Sequence, residues 1–129
     1  MTLLLDTHFL VWIVTGSRRL RQFPWLARHR PWGVSPVSFL EIQLLSEVGR
    51  LKVRSPDFED AVMIDARFAV DEVPLVALIR NSLDIRWTRD PFDRLLCSHS
   101  YSRRVPLCTV DTSILENHRL VPAKPTPRG

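Results

Sequence analysis

The stretch Arg89-Asp90-Pro91-Phe92-Asp93-Arg94-Leu95-Leu96 constrains this chain more than any other, because it specifies where a helix begins and which face turns inward. Asp90 suits the N-cap, where a carboxylate accepts from unpaired backbone N–H groups. Pro91 falls at the first helical position, where a missing N–H costs nothing. Asp93 follows in the first turn, which favours negative charge. Phe92, Leu95, Leu96 and His99 come at helical spacing, so that face packs inward. Taken alone, Asp93 reads as a capping-box carboxylate. Three further acids stand at comparable junctions: Asp6 after an apolar run, Glu41 inside one, and Asp111 after the last. Four carboxylates aimed at strand ends and helix starts point to a bound metal ion.

The chain around these acids alternates strand and helix. Leu3-Leu4-Leu5 is a short apolar run, as expected of a strand buried on both faces. It stops at Asp6, and Thr7 can cap a buried helix over His8–Val14 that ends near Gly16. Arg18–His29 carries Leu20, Phe23 and Leu26, and Pro24 divides it into two short helices. Trp32–Ser35 is a weak second strand. Ser35-Pro36 then opens a helix to about Val48, with Val37, Leu40, Leu44, Leu45 and Val48 as its apolar stripe. Glu41 sits in that stripe, where a carboxylate does not stay ionised without a compensating partner. Capping by Ser38 competes with this reading, but Ser35-Pro36 starts the helix earlier.

Gly49 ends that helix, and Pro56–Phe68 predicts another with Asp57, Glu59, Asp60 and Asp65 facing solvent. Phe68–Val70 and Val73–Leu75 suggest a short strand or turn before a helix through about Leu83. After the Asp90 helix, Val105–Val110 is the last strand, running into Asp111 as the cap of a helix from about Thr112. Residues 1–120 form one domain, and 121–129, with three prolines and no periodicity, form a tail expected to be mobile. The alternation predicts an α/β domain with a mainly parallel sheet between helical layers. Ligands of such sheets bind beyond the carboxyl ends of the strands, where Asp6 and Asp111 fall.

Bulk properties narrow the function classes. At 129 residues the chain is long enough to bury roughly two-thirds of its unfolded surface. No apolar run approaches the length of a membrane span, and the N-terminus lacks the basic and apolar regions of a secretory signal. Cys97 and Cys108 lie in apolar contexts without metal-ligand spacing and read as buried thiols of a cytoplasmic protein. The net charge is +4, and every basic residue except Lys52 and Lys124 is Arg, whose fork suits phosphate. A compositional bias would give the same skew, so the charge permits a nucleic-acid partner without requiring one.

Several chemistries are excluded. The glycines fall only at positions 16, 33, 49 and 129, leaving no dinucleotide fingerprint, no phosphate loop and no nucleophile elbow. A receiver domain would want paired acids after its first strand and a lysine after its last, and neither is present. The histidines make no zinc pattern, and His8 and His99, in apolar helices, read as core or near-core residues. Carboxylates without thiolate or imidazole partners favour hard cations such as Mg²⁺ or Mn²⁺. Such an ion activates water and offsets charge on a phosphodiester, so the residues themselves point to a metal-dependent phosphodiester hydrolase.

Four segments, LLLDTHFLVW from Leu3, VSPVSFLEI from Val34, RDPFDRLLCSHS from Arg89 and PLCTVDTSI from Pro106, together resemble the PIN-domain family, and within it the VapC-like toxins of bacterial toxin–antitoxin pairs. They occur in the family's order and span nearly the whole chain. Pro36 in place of a small residue and the polar Ser98-His99-Ser100 depart from the pattern without removing an acid. The resemblance implies an α/β/α sandwich and a Mg²⁺-dependent endoribonuclease (Mn²⁺ as an alternative) whose acids are Asp6, Glu41, Asp93 and Asp111. Asp90 matches an additional acid of one subgroup, and Thr109 the threonine of its T-x-D form. It further implies an RNA substrate, a homodimer and a neutralising antitoxin, with no membrane partner. A PIN-like module that binds RNA or protein without cutting, and a DNA-directed nuclease with the same site, remain alternatives.

Overall fold

A computed structural model describes residues 1–53 and 56–122, so the tail expected over 121–129 lies, but for its first two residues, outside the described part. The elements run β1 (Leu4–Leu5), α1 (Thr7–Thr15), two 3₁₀ helices (Arg18–Gln22 and Pro24–His29), β2 (Trp32–Val34), α2 (Val37–Glu47), α3 (Asp57–Ile64), β3 (Phe68–Val70), α4 (Leu75–Ser82), α5 (Pro91–Arg103), β4 (Leu107–Cys108) and α6 (Thr112–Asn117). The helix expected over Pro56–Phe68 stops at Ile64, because Phe68 is taken into β3. Val73–Leu75 contributes no strand, since Pro74 directly precedes α4. The last strand is shorter than the apolar run Val105–Val110 suggests.

The four strands are parallel and ordered β3-β2-β1-β4. Leu4 of β1 lies opposite both Gly33 and Leu107, and Trp32, Gly33 and Val34 pair with Phe68, Ala69 and Val70. Alternation along β1 divides the core in two. Leu3 and Leu5 pack with Phe9, Leu10, Ile42, Phe58 and Val62, whereas Leu4 packs on the other side with Leu96, Cys97, Leu107 and Ile114. Both faces of the sheet are thus covered by helices, which is why its strands read as continuous apolar runs. Among the described residues no helix is long and apolar enough to cross a membrane.

Because every strand points the same way, the residues that follow them (Asp6, Ser35, Asp71 and Thr109) share one edge. The chain leaves β1 towards β2 on one side and returns through β4 on the other, so the order reverses at β1 and opens a crevice beyond its carboxyl end. Buried hydrogen bonds hold this edge. His99 of α5 is fully buried, with Nδ1 3.0 Å from Ser35 Oγ and Nε2 2.7 Å from Asp71 Oδ2. Arg103 donates to the same Asp71 oxygen at 2.8 Å. His99 is therefore the satisfied core histidine its sequence context suggests.

His118, just past α6, carries a consequence for stability. Ser100 donates its hydroxyl proton to the Val105 carbonyl, so its oxygen accepts from His118 Nε2 at 2.9 Å. His118 Nδ1 is buried without a partner among the described residues, and burial lowers the pKa of the ring to about 4. The folded value lies below the unfolded 6.5, so this histidine's contribution is intact above pH 6.5 and is lost as pH falls towards 4. The loss corresponds to about 3 kcal/mol by pH 4. Chemical denaturation of His118→Gln, which keeps a donor for Ser100, should show near-wild-type stability at pH 7 and an advantage at pH 4.5. Parallel curves for the two proteins over that range would refute this.

Candidate active site

Asp6 is itself the N-cap of α1, in place of the Thr7 expected there: its Oδ1 accepts from the Thr7 N–H at 2.7 Å. Its Oδ2 accepts from the Thr109 hydroxyl at 2.6 Å. Thr7 turns its hydroxyl to Ser38 Oγ, 3.0 Å away, which ties the start of α1 to α2 and occupies the serine that could have capped with Glu41. Asp6 is only 6% exposed. Burial raises its pKa, and the Thr109 and Thr7 hydrogen bonds offset part of that.

Thr109 joins the two strand ends. While donating to Asp6, its oxygen accepts from the Asp111 N–H at 3.0 Å. Asp111 then caps α6 by accepting from the Ile114 N–H at 3.0 Å. One threonine hydroxyl, two residues before the acid, thus fixes the backbone that carries Asp111 and one oxygen of Asp6.

On α5, Asp90 is the cap its sequence specifies, accepting from the Phe92 and Asp93 N–H groups at 2.8 and 3.2 Å. In a capping box, Asp93 would reach back to the Asp90 N–H. That N–H instead donates to Thr88 Oγ1 at 3.1 Å, leaving the Asp93 carboxylate out of the cap. Its pKa rises to about 7, first through burial and then through Asp90, Asp111, Asp6 and Glu41. Glu41, Asp90, Asp93 and Asp111 line one cleft, and Asp6 lies near enough to add to the rise of Asp93. Cys97, beneath them, is pushed up to about 12 by burial and by Asp93, Asp6 and Asp111.

Glu41 reaches the same place by a route the sequence did not indicate. The stripe meant to bury it points outward: Leu40, Leu44 and Val48 are 57%, 41% and 69% exposed, and α2 turns Ser38 and Ile42 inward instead. Glu41 stands at the border of the two faces, and its Oε1 is buried without a hydrogen-bond partner among the described residues. Burial raises its pKa; Thr7 and His8 offset part, while Asp6 and Asp90 add to it.

A cleft of about 410 Å³ is lined by Glu41, Asp90, Asp93 and Asp111, with His8 and Arg50 beside them and Leu44, Leu45, Val48 and Leu51 along one wall. His8 is therefore a surface residue of the cleft, contrary to its expected place in or near the core. Its apolar neighbours misled, whereas its position two residues after the capping Asp6 was the usable signal. Arg50 was not anticipated either, and its place just past the end of α2 gave no sign of it. Among the described residues no three His, Cys, Asp or Glu side chains are arranged to hold an ion directly. The donor set nonetheless fits a hard cation that keeps several waters. It is all-carboxylate, it includes an orphaned buried oxygen, and its members disfavour joint ionisation.

Compared by sequence, the chain matches no protein-family model and no curated protein. Compared by structure, it is similar to a toxin–antitoxin complex from Klebsiella pneumoniae, with a TM-score of 0.66 and 15% identity over 93% of this chain and 95% of that one. It is also similar to VapBC2 from Rickettsia felis bound to a DNA fragment from their promoter (TM-score 0.64, 15% identity, 94% and 96% covered). A third similarity is to PAE2754 from Pyrobaculum aerophilum (TM-score 0.61, 17% identity, 95% and 88% covered). The chain shares the fold of these proteins over 93–95% of its length. The PIN-like α/β/α sandwich expected of the sequence is the fold observed.

Proposed function

We propose that the protein is a metal-dependent endoribonuclease acting as the toxin of a toxin–antitoxin pair in the cytoplasm. The observation that carries this reading is that Glu41, Asp93 and Asp111 line one cleft beyond the carboxyl end of β1, where Asp6 stands, with Asp93 raised to about 7 by burial and by these acids. Such charge crowding is unfavourable in the empty protein and is relieved by a cation. Asp6, Asp93, Glu41 and Asp111 would hold Mg²⁺ (or Mn²⁺), directly or through water, and the ion would supply a nucleophilic water and offset phosphate charge.

The chain's own residues do the rest. Thr109 holds Asp6 Oδ2 and the Asp111 backbone in fixed relation. Asp90 is committed to the α5 cap, which makes it a support for Asp93. Glu41 Oε1, without a donor of its own, is free to accept a proton or orient a water. Arg50 brings positive charge to an otherwise anionic cleft and suits a phosphate. The exposed apolar residues Leu75, Val76 and Ile79 of α4, with Leu83 just past its end, offer a face for a second copy, as the homodimer in this reading requires.

Purified protein incubated with total RNA should cleave it with Mn²⁺ or Mg²⁺ and not with EDTA, and Asp6→Asn should lower the rate on the order of 10²–10³-fold. RNA binding that survives without any metal-dependent cleavage would instead assign a non-cleaving module. Equal cutting of ribo- and deoxyribo-oligonucleotides would assign a nuclease without RNA preference.

A further inference from the structure

The cleft is ringed by acids, so a polyanionic strand needs cations and stacking surfaces just beyond it to be held there. We propose that the face of α1 formed by His8 and Trp12, with Arg19 folded over it, is the track on which a single RNA strand lies as it leaves the acid cleft. This deepens the reading above, that the cleft acts on RNA, by locating how the substrate is gripped.

The local sequence builds this face step by step. His8 and Trp12 are four residues apart on α1, so they share one side, with ring centroids 6.5 Å apart. His8 is exposed in the cleft. Trp12 is half-buried, braced from beneath by Phe9 at 5.0 Å, which fixes its ring. Gly16 then ends the helix at φ 67°, a left-handed value that costs a glycine little. Ser17 donates its N–H to the Trp12 carbonyl at 2.9 Å and caps the next helix by accepting from the Arg19 N–H. The chain is thereby folded back along α1, and the Arg19 guanidinium comes to rest 5.3 Å from the centre of the Trp12 ring.

Imidazole, indole and guanidinium thus follow one another outward from the acids, and Arg18 and Arg21 are exposed on the same short helix. Arg50 lines the cleft as well. Aromatic rings interleaved with arginines are what sequence-tolerant binding of a single strand requires: bases stack, and phosphates pair with guanidinium. A partner protein's apolar segment would be served better by Leu40 and Leu44 on α2 and Val48 at its end, which are exposed where Trp12 is partly buried.

The test is fluorescence anisotropy of a labelled single-stranded oligoribonucleotide in EDTA, where binding is read without cleavage. Arg19→Ala should weaken binding and lower the slope of log affinity against log salt by about 0.7, the value for one lost phosphate contact on a single strand. Arg19→Glu should weaken it further, while Arg80→Ala on α4 should change nothing. Trp12→Phe, which keeps a ring against Phe9, should bind better than Arg19→Glu. Wild-type affinity and slope in Arg19→Glu would overturn the track, as would an equal loss in Arg80→Ala or no binding by the wild type. The same oligonucleotide with Mn²⁺ separates this from the nuclease reading. Cleavage that ignores Arg19 keeps the nuclease and removes the track, whereas Arg19-dependent binding without cleavage does the reverse.

Discussion

Asp93→Asn is expected to make the metal-free protein more stable while abolishing RNA cleavage. Polar substitutions at a helix start usually cost stability, so the sign is diagnostic. Asp93 makes no capping bond, since the Asp90 N–H that it would accept from goes to Thr88. Its carboxyl is held at about 7, against an ordinary 3.8, by burial and by four other acids. A raised acid pKa means that the charged form is penalised in the folded state: the penalty is full above pH 7 and disappears as pH falls towards 3.8. The nominal shift corresponds to about 4 kcal/mol, and solvent screening of this half-buried group reduces the expected gain to roughly 1–2 kcal/mol at pH 8.

Thermal melts in EDTA should therefore place the variant roughly 4–8 °C above wild type at pH 8, with the difference closing near pH 4. Added Mn²⁺ should raise the wild type by mass action and the variant much less. Cleavage should fall on the order of 10²–10³-fold. A variant that melts lower than wild type at pH 8 and still cuts RNA would show Asp93 to be structural after all.

That experiment turns on a distinction the sequence posed but could not decide. The helix start at Asp90-Pro91 was legible because capping is local, and its residues and bonds lie within a few positions. Whether Asp93 belonged to the cap depended on Thr88, in a segment without periodicity. The fold was legible for a related reason: runs such as Leu3–Leu5 are too short for helices and too apolar for an exposed sheet face. The α2 stripe failed because spacing shows which residues share a face, never what covers it. Leu40, Leu44 and Val48 share a face that nothing among the described residues covers. Glu41 was marked out as uncomfortable on the premise that this face was internal. Its discomfort comes from burial at the edge of that face, to which Asp6 and Asp90 add.

The uncovered face leads to the second large effect. If the protein is the toxin proposed above, its expression alone should arrest growth, co-expression of the antitoxin that reading calls for should restore it, and a Leu44→Asp, Val48→Asp variant should arrest growth whether or not that partner is present. Leu40, Leu44 and Val48 recur every four residues, so they form one ridge along α2, and the last two continue into the wall of the acid cleft. A partner segment seated on that ridge by apolar contact would end within reach of Glu41, Asp93 and Asp111. An Arg or Lys placed there would pair with the carboxylates and exclude the cation. The aromatics of the two 3₁₀ helices serve this role less well, because Phe23 and Trp25 are half-buried against Phe9 and one another. Buried apolar anchors carry most of such an interface, so two carboxylates on the ridge should cost partner affinity on the order of 10²-fold or more. They replace exposed side chains, so melting temperature should stay near wild type; because they also wall the acid cleft, cleavage by the purified variant is measured beside wild type and rescue is compared at matched activity. Full rescue of the variant would place the partner elsewhere, and healthy growth with active protein in the lysate would remove the toxin role while leaving the nuclease.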